Sequence, residues 1–329
     1  MSFMFNFDLT DEDRDVALQS SDVDNKPEVT TVCTHIQDKN DGRSTLCTTS
    51  CVQSLPAVEI TEFYSDSITV KLEMKSILFG DLCLKVVDTS TIEQNLLSDT
   101  DVSSILKLSE QLTSAVHSHS DLVAGVYEGG LKIWESGVDL AEFLASHPVG
   151  IAVDLEGKYV LELGCGAGLP GVYCCRRGAK QVDFQDYNEE VLKLLTHTNV
   201  VNNQAESNEL STLSRYFAGD WSSFAKLAAR ENLKYDIILT AETIYNTDDY
   251  SKLLDVFKTV LTDSGVIYLA AKTYYFGVGG SIDSFIEYVR GENCFDVEVV
   301  HSVNKGVKRK IMKLWRMSGS ASRDVGTVS

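Results

Sequence analysis

The chain has 329 residues, with 29 Lys and Arg against 48 Asp and Glu, a formal charge of −19. That charge argues against a general phosphate-binding surface and favours a basic protein partner over DNA. The apolar fraction of 43% supports a packed core, no apolar run reaches the roughly 20 residues of a membrane helix, and the start, Met1-Ser2-Phe3-Met4, has no basic leader. Eight cysteines without a Cys-x-x-Cys pair read as reduced thiols of the cytoplasm or nucleus. Disulfide scaffold, membrane protein and zinc ribbon are set aside.

Residues 1–60 carry eleven acidic and four basic side chains and no lasting apolar period beyond Phe3, Phe5 and Phe7. Residues 1–55 therefore read as mostly disordered, with an aromatic start able to dock as one short strand. Residues 56–116 form an N-terminal extension with strand candidates Ile68–Leu72 and Leu82–Val87. Residues 89–115 turn polar, a loop or loose helix.

The main domain is expected over 117–317. Val160–Leu163, Val182–Asp186, Ser214–Phe217, Tyr235–Thr240 and Val266–Ala270 recur as short apolar runs with helix-period segments between them. Tyr250, Leu253, Leu254, Phe257, Val260 and Leu261 share one helix face, and Ile282, Phe285, Ile286 and Val289 repeat the pattern. Alternating strand and helix implies an α/β fold with a parallel sheet. Phe295–Val303 and Lys308–Trp315, joined across Asn304-Lys305-Gly306, read as a closing hairpin. Five βα units plus an antiparallel C-terminal hairpin give seven strands; 318–329 is a disordered tail.

The first strand ends in Glu162-Leu163-Gly164-Cys165-Gly166-Ala167-Gly168. A dinucleotide fingerprint needs its third glycine one residue later, where Leu169 stands. Glu162, two residues ahead of the first glycine, would repel a phosphate. A carboxylate there suits a cationic, phosphate-free ligand such as a sulfonium with an amino group. Asp186 closes the second strand, where a carboxylate can accept both hydroxyls of a ribose. Gly219-Asp220-Trp221, after the third, offers a polar contact and an indole face for an adenine.

Four blocks carry a resemblance. They are residues 118–135, with Tyr127-Glu128-Gly129-Gly130-Leu131-Lys132-Ile133-Trp134-Glu135; Phe184-Gln185-Asp186-Tyr187-Asn188; Thr240-Ala241-Glu242-Thr243-Ile244-Tyr245-Asn246; and residues 271–280. Together they resemble the histidine protein methyltransferase family, within the Rossmann-like, seven-strand S-adenosylmethionine-dependent methyltransferases. The resemblance covers 117–315 and implies roles at matching positions. Ile133, Trp134 and Glu135 would begin a helix over the cofactor pocket. The glycine loop with Glu162 would hold the methionine part, and Asp186 the ribose, with Tyr187 and Asn188 beside it. Asp220 and Trp221 would flank the adenine, and Thr240 and Ala241 line the pocket. It further implies S-adenosylmethionine as cofactor and methylation of a histidine in a large-subunit ribosomal protein, on the ring nitrogen farther from the backbone. The implied enzyme is a monomer of cytoplasm and nucleus, possessing no metal and binding no membrane.

The chemistry is undemanding. A neutral imidazole already offers a lone pair at pH 7, whereas a lysine must first lose a proton at a cost of about 4.6 kcal/mol. A histidine enzyme has to choose the tautomer by accepting a hydrogen bond at the other nitrogen. Glu242 and Asn246 are candidates for that acceptor, and Tyr245 for the pocket wall. A lysine methyltransferase of the same fold and a non-catalytic binding module are the competing readings; the glycine loop with Glu162 and Asp186 argues against the module. His117-x-His119 reads as an exposed loop, Gly277-x-Gly279-Gly280 as a tight turn shaping the substrate mouth, and the basic run Lys305–Arg316 as the solvated face of the hairpin.

Overall fold

The computed structural model describes residues 2–3, 55–63, 72–90, 92, 113, 122–123, 125–146, 153–204 and 212–317. Residues 68–71 of the strand candidate Ile68–Leu72, Phe5, Phe7, the His117-x-His119 pair and the 318–329 tail lie outside them; Leu72 itself is in no strand. Five parallel strands form the centre: β6 (Tyr159–Leu163), β7 (Gln181–Asp186), β8 (Leu213–Ala218), β9 (Tyr235–Ala241) and β10 (Leu261–Lys272). They stand in the order β8-β7-β6-β9-β10, so the order reverses at β6 and β9, where such sheets bind ligands. The hairpin β11 (Phe295–Val303) and β12 (Arg309–Arg316) closes one side, β12 antiparallel to β10. These are the seven strands expected.

An eighth strand was not foreseen. β2 (Val58–Glu59) pairs antiparallel with β8 and caps the opposite edge. Two small sheets lie apart from the main one. β1 (Ser2–Phe3) pairs with β5 (Leu122–Val123), so the start of the chain does contribute a short strand. Leu82–Val87, as β4, pairs with β3 (Met74–Phe79) across Gly80 and Asp81. Sequence patterning missed β3, because Ile77, Leu78 and Phe79 are apolar in a row, although the strand alternates between open and more buried positions.

Seven helices are described: α1 (Glu135–Ser146), α2 (Leu169–Arg176), α3 (Glu189–Val191), α4 (His197–Asn202), α5 (Trp221–Glu231), α6 (Tyr250–Val260) and α7 (Ile282–Glu292). A π turn over Leu192–Thr196 joins α3 to α4. Strand alternation separates two cores. Val160, Val182 and Phe184 pack with Phe143, Val172 and Leu195 on one face. Leu161, Leu163 and Ile238 pack with Phe224, Leu254 and Phe285 on the other. Leu261 starts β10 instead of ending α6, a one-residue shift at a helix end.

Asn199 and Asn203 of α4 and its end tie β4 to the main sheet. Their amide oxygens accept from Val87 N at 2.8 Å and Lys85 N at 2.9 Å. The extension is thereby stitched to the helix that follows the second parallel strand.

Candidate active site

The loop after β6 is built for close approach. Gly164, Gly166 and Gly168 all hold left-handed φ angles, 63°, 50° and 71°, which other residues adopt at a cost. Side chains on the first two would meet Thr243 and the Gly130 carbonyl, so the loop lies between the segment after β9 and the chain entering α1. Gly168 differs from the expectation: a side chain there would meet Thr196 and Phe184, in the interior rather than on the ligand side. The residue that replaces the missing third glycine is Gly171, inside α2. A Cβ there would lie 2.4 Å from the Phe184 ring and 2.5 Å from Glu162 Oε2. Gly171 N instead donates to Glu162 Oε2 at 2.7 Å.

Two buried carboxylates stand at the ends of adjoining strands. Asp186 Oδ2 accepts from Gly166 N at 2.9 Å, and Oδ1 from Asn188 N at 3.1 Å. Burial pushes its carboxyl up to about 6 and that of Glu162 up to about 8, the nearby Asp186 charge adding to the second. The Tyr187 amide donates to Asp186 as well, and of a carboxylate's about four acceptor positions this leaves about one for a ligand hydroxyl. Two desolvated acids behind a glycine loop fit a cationic ligand and disfavour a pyrophosphate. The donor set thus fits S-adenosylmethionine. Among the described residues no group of three His, Cys, Asp or Glu could hold a metal ion.

The third strand supplies the wall. Trp221 Nε1 donates to Gln185 Oε1 at 3.0 Å, which sets the indole beside Gly164. Asp220 caps α5 by accepting from Ser222 N at 2.8 Å and faces Lys252 at 3.5 Å. Gly219 serves packing: its φ is 125°, and a Cβ would lie 2.5 Å from the Pro56 carbonyl. Gln185, which sequence reasoning passed over, also donates to the Gly219 carbonyl at 2.7 Å.

Several expected ligand contacts are engaged elsewhere. Tyr187 hydroxyl donates to the Gly125 carbonyl and Asn188 Nδ2 to the Val126 carbonyl, each at 2.8 Å. They hold residues 125–128 down as a strap across the strand ends. Glu135 does open α1, with Ile133 and Trp134 just before it, but its carboxylate pairs with Arg309 at 2.9 Å. Trp134 donates to the Gly129 carbonyl, its ring 5.0 Å from Lys272 Nζ. Thr240 Oγ1 is wholly buried and donates to the Leu163 carbonyl, tying β9 to β6; Ala241 is half-buried at the strand end.

The residues after β9 divide sharply. Glu242 has a left-handed φ of 59°, a strained position for a residue with a side chain, of the kind found at functional sites. Its carboxylate accepts from Ser136 Oγ and Tyr275 hydroxyl and faces Lys272 Nζ at 3.9 Å. That network holds the carboxylate in place from three sides. Asn246 is taken up by its own turn: Oδ1 accepts from Asp248 N at 3.1 Å, and Nδ2 donates to Asp249 at 2.8 Å. Tyr245 instead reaches the strap, its hydroxyl donating to Glu128 Oε2. Burial raises the pKa of both groups, most for the phenol. The glycine turn is where it was expected. Tyr275 N donates to the Gly280 carbonyl, and Gly280 N to the Tyr245 carbonyl, both at 2.9 Å, which holds residues 275–280 against the site.

Comparison with known proteins agrees with this geometry. Residues 116–276 match a family profile described as lysine methyltransferase. A histidine protein methyltransferase 1 homolog of Mus musculus is 41% identical over 224 residues, covering 62% of this chain and 61% of that protein. The homolog of Dictyostelium discoideum is 44% identical over 188 residues, 57% of each chain. Histidine protein methyltransferase 1 of Saccharomyces cerevisiae is 29% identical over 280 residues, covering 67% of this chain and 73% of that protein. The matches to the mouse and Dictyostelium proteins span about three fifths of those relatives' length. The sequence-level resemblance to histidine protein methyltransferases is thereby borne out.

Proposed function

Starting from a chain that is a relative of the histidine protein methyltransferases, we propose that it transfers a methyl group from S-adenosylmethionine to a histidine of a protein substrate. One observation carries the reading: the glycine loop is tied through Gly166 N to the buried Asp186 carboxylate, with Glu162 behind it. When bound, the cofactor supplies an activated methyl group on a sulfonium. The chain's residues bind and orient: Asp186 offers an acceptor for the ribose, Glu162 counters positive charge, and Trp221 gives a flat face.

Methyl transfer needs an in-line approach more than strong acid–base chemistry. A histidine nucleophile, already neutral at pH 7, fits a site whose carboxylate after β9 is locked into a structural network. The profile named for lysine methyltransferases keeps the lysine reading in view. The charge of −19 supports a basic substrate, and we read a ribosomal protein of the large subunit, methylated on the farther ring nitrogen by the monomeric chain, as its best match. Among the described residues the cysteines are free thiols, in keeping with action in cytoplasm and nucleus.

The test is transfer of tritiated methyl groups from S-adenosylmethionine into total protein from cells lacking this chain, followed by acid hydrolysis. Methylhistidine supports the reading. Methyl-lysine in its place, or no label alongside cofactor binding, overturns it.

A further inference from the structure

The strap over the site carries a group assigned no role so far. Glu128 stands in it with both carboxylate oxygens engaged: Oε1 accepts from Gly125 N at 2.6 Å, and Oε2 from the Tyr245 hydroxyl. Its own N–H donates to Asn188 Oδ1 at 3.3 Å, so the strap is fixed to the end of β7. Two residues on, Gly130 lies against Gly166 of the glycine loop. Glu128 and Tyr245 therefore meet across the carboxyl ends of β6, β7 and β9, where Asp186 also acts on both electrostatically. Glu242 and Asn246, also after β9, are engaged by partners of their own.

A phenol has one proton to donate and lone pairs to accept with. The proton of Tyr245 is committed to Glu128, so toward any other group Tyr245 can only accept. We propose that this pair selects the substrate tautomer: Tyr245 accepts the N–H of the imidazole nitrogen nearer the backbone, Glu128 enforces that polarity, and the farther nitrogen keeps its lone pair for the methyl group. This rests on the histidine reading above and adds to it the source of selectivity between the two ring nitrogens. The lone pair of the farther nitrogen forms the new N–C bond as the sulfur–carbon bond breaks, its electron pair staying on sulfur. The product ring is cationic until its N–H proton leaves to solvent. A lysine has no second nitrogen, so the pair would have no isomer to choose for it. Tyr245 touches substrate; Glu128 is a positioning residue acting through it.

The test separates the two methylhistidine isomers after the same labelling of total protein from cells lacking this chain. Three variants are compared with wild type: Tyr245→Phe, Glu128→Leu and Glu128→Gln. Wild type is expected to give the distal isomer. Tyr245→Phe and Glu128→Leu should lower its yield and bring the distal-to-proximal ratio down about tenfold, the scale of one hydrogen bond. Glu128→Gln keeps one acceptor oxygen for two donors and should give a ratio between those of Glu128→Leu and wild type. Cofactor affinity by calorimetry should stay within about twofold in Tyr245→Phe, since its ring remains. A role confined to packing would lower the rate and leave the isomer ratio alone. Wild-type methylhistidine with an unchanged ratio in Tyr245→Phe and Glu128→Leu overturns the tautomer proposal and leaves the histidine reading standing. Wild-type methyl-lysine overturns both.

Discussion

The backbone amide of Gly166 donates to the Asp186 carboxylate across 2.9 Å, so the loop after the first parallel strand is tied to the end of the second. One side chain thus shapes the loop and, in the function proposed above, also offers an acceptor to the cofactor. Asp186→Ala should weaken cofactor binding by about 1.5–3 kcal/mol, the range for hydrogen bonds to a charged group. Asp186→Asn keeps an oxygen for Gly166 and should lose less. Calorimetry showing equal affinity in Asp186→Ala and wild type would remove Asp186 from the site.

Gly171 is expected to be intolerant. A methyl group there collides with the Phe184 ring and displaces Glu162 from the helix amide. Overpacking of this kind costs about 1–3 kcal/mol, so Gly171→Ala should melt several degrees below wild type. An unchanged melting temperature would mean that α2 can move off the sheet freely.

Cofactor affinity should rise with pH. In the cofactor-free protein Asp186 and Glu162 hold protons up to about 6 and about 8. A cationic ligand favours their ionised forms, so binding between pH 6 and 8 releases protons and strengthens until both are ionised. Raised folded-state values also mean that this part of the cofactor-free protein's stability is full below pH 4 and is lost as pH rises through about 8. Calorimetry in buffers of different ionisation heat measures the protons released; proton uptake on binding would contradict the assignment.

Glu242 now predicts a stability phenotype first. Its carboxylate faces Lys272 where both side chains are less than a tenth exposed. Removing one member of such a buried pair costs about 3–5 kcal/mol, so Glu242→Ala should unfold at markedly lower urea. Glu242→Gln keeps an acceptor for Ser136 and should fall between Ala and wild type. If Glu242→Ala is as stable as wild type but inactive, the residue serves the substrate directly.

Gly219→Ala should release the segment before β2. With φ at 125° and the Pro56 carbonyl 2.5 Å from any added Cβ, the segment at 55–57 has no room to stay. Limited proteolysis should then cut near residues 55–60 faster in the variant than in wild type. Equal cutting would show that the edge adapts.

The sheet was legible because five apolar runs at regular spacing, then a hairpin signal, leave few alternatives. Placement along the chain was legible: Glu162 and Asp186 lie at the ends of β6 and β7, and Trp221 and Tyr245 in the segments that follow β8 and β9. Their partners were not. That Asn246 would cap its own turn is a local signal which an Asn before Thr-Asp-Asp does carry. That Glu242 would face Lys272 depends on register between β9 and β10, and that Tyr245 would reach Glu128 spans 117 residues of chain. Gly171 hid for a different reason, since a glycine inside a helix reads as a weakness until the strand behind it is known.

The two-residue strand β2 has a consequence for solubility. Beyond it, β8 would present the open hydrogen-bonding edge of a six-residue strand, with Leu213 already 63% exposed at its start. Glu59, gripped by Arg215 through two bonds of 2.7 and 2.8 Å, places a charged fork where another chain's strand would add. Such short, charged borders keep sheets from joining end to end. Loss of this small flap would turn the chain toward self-association while leaving the glycine loop, Asp186 and Glu162 where they stand.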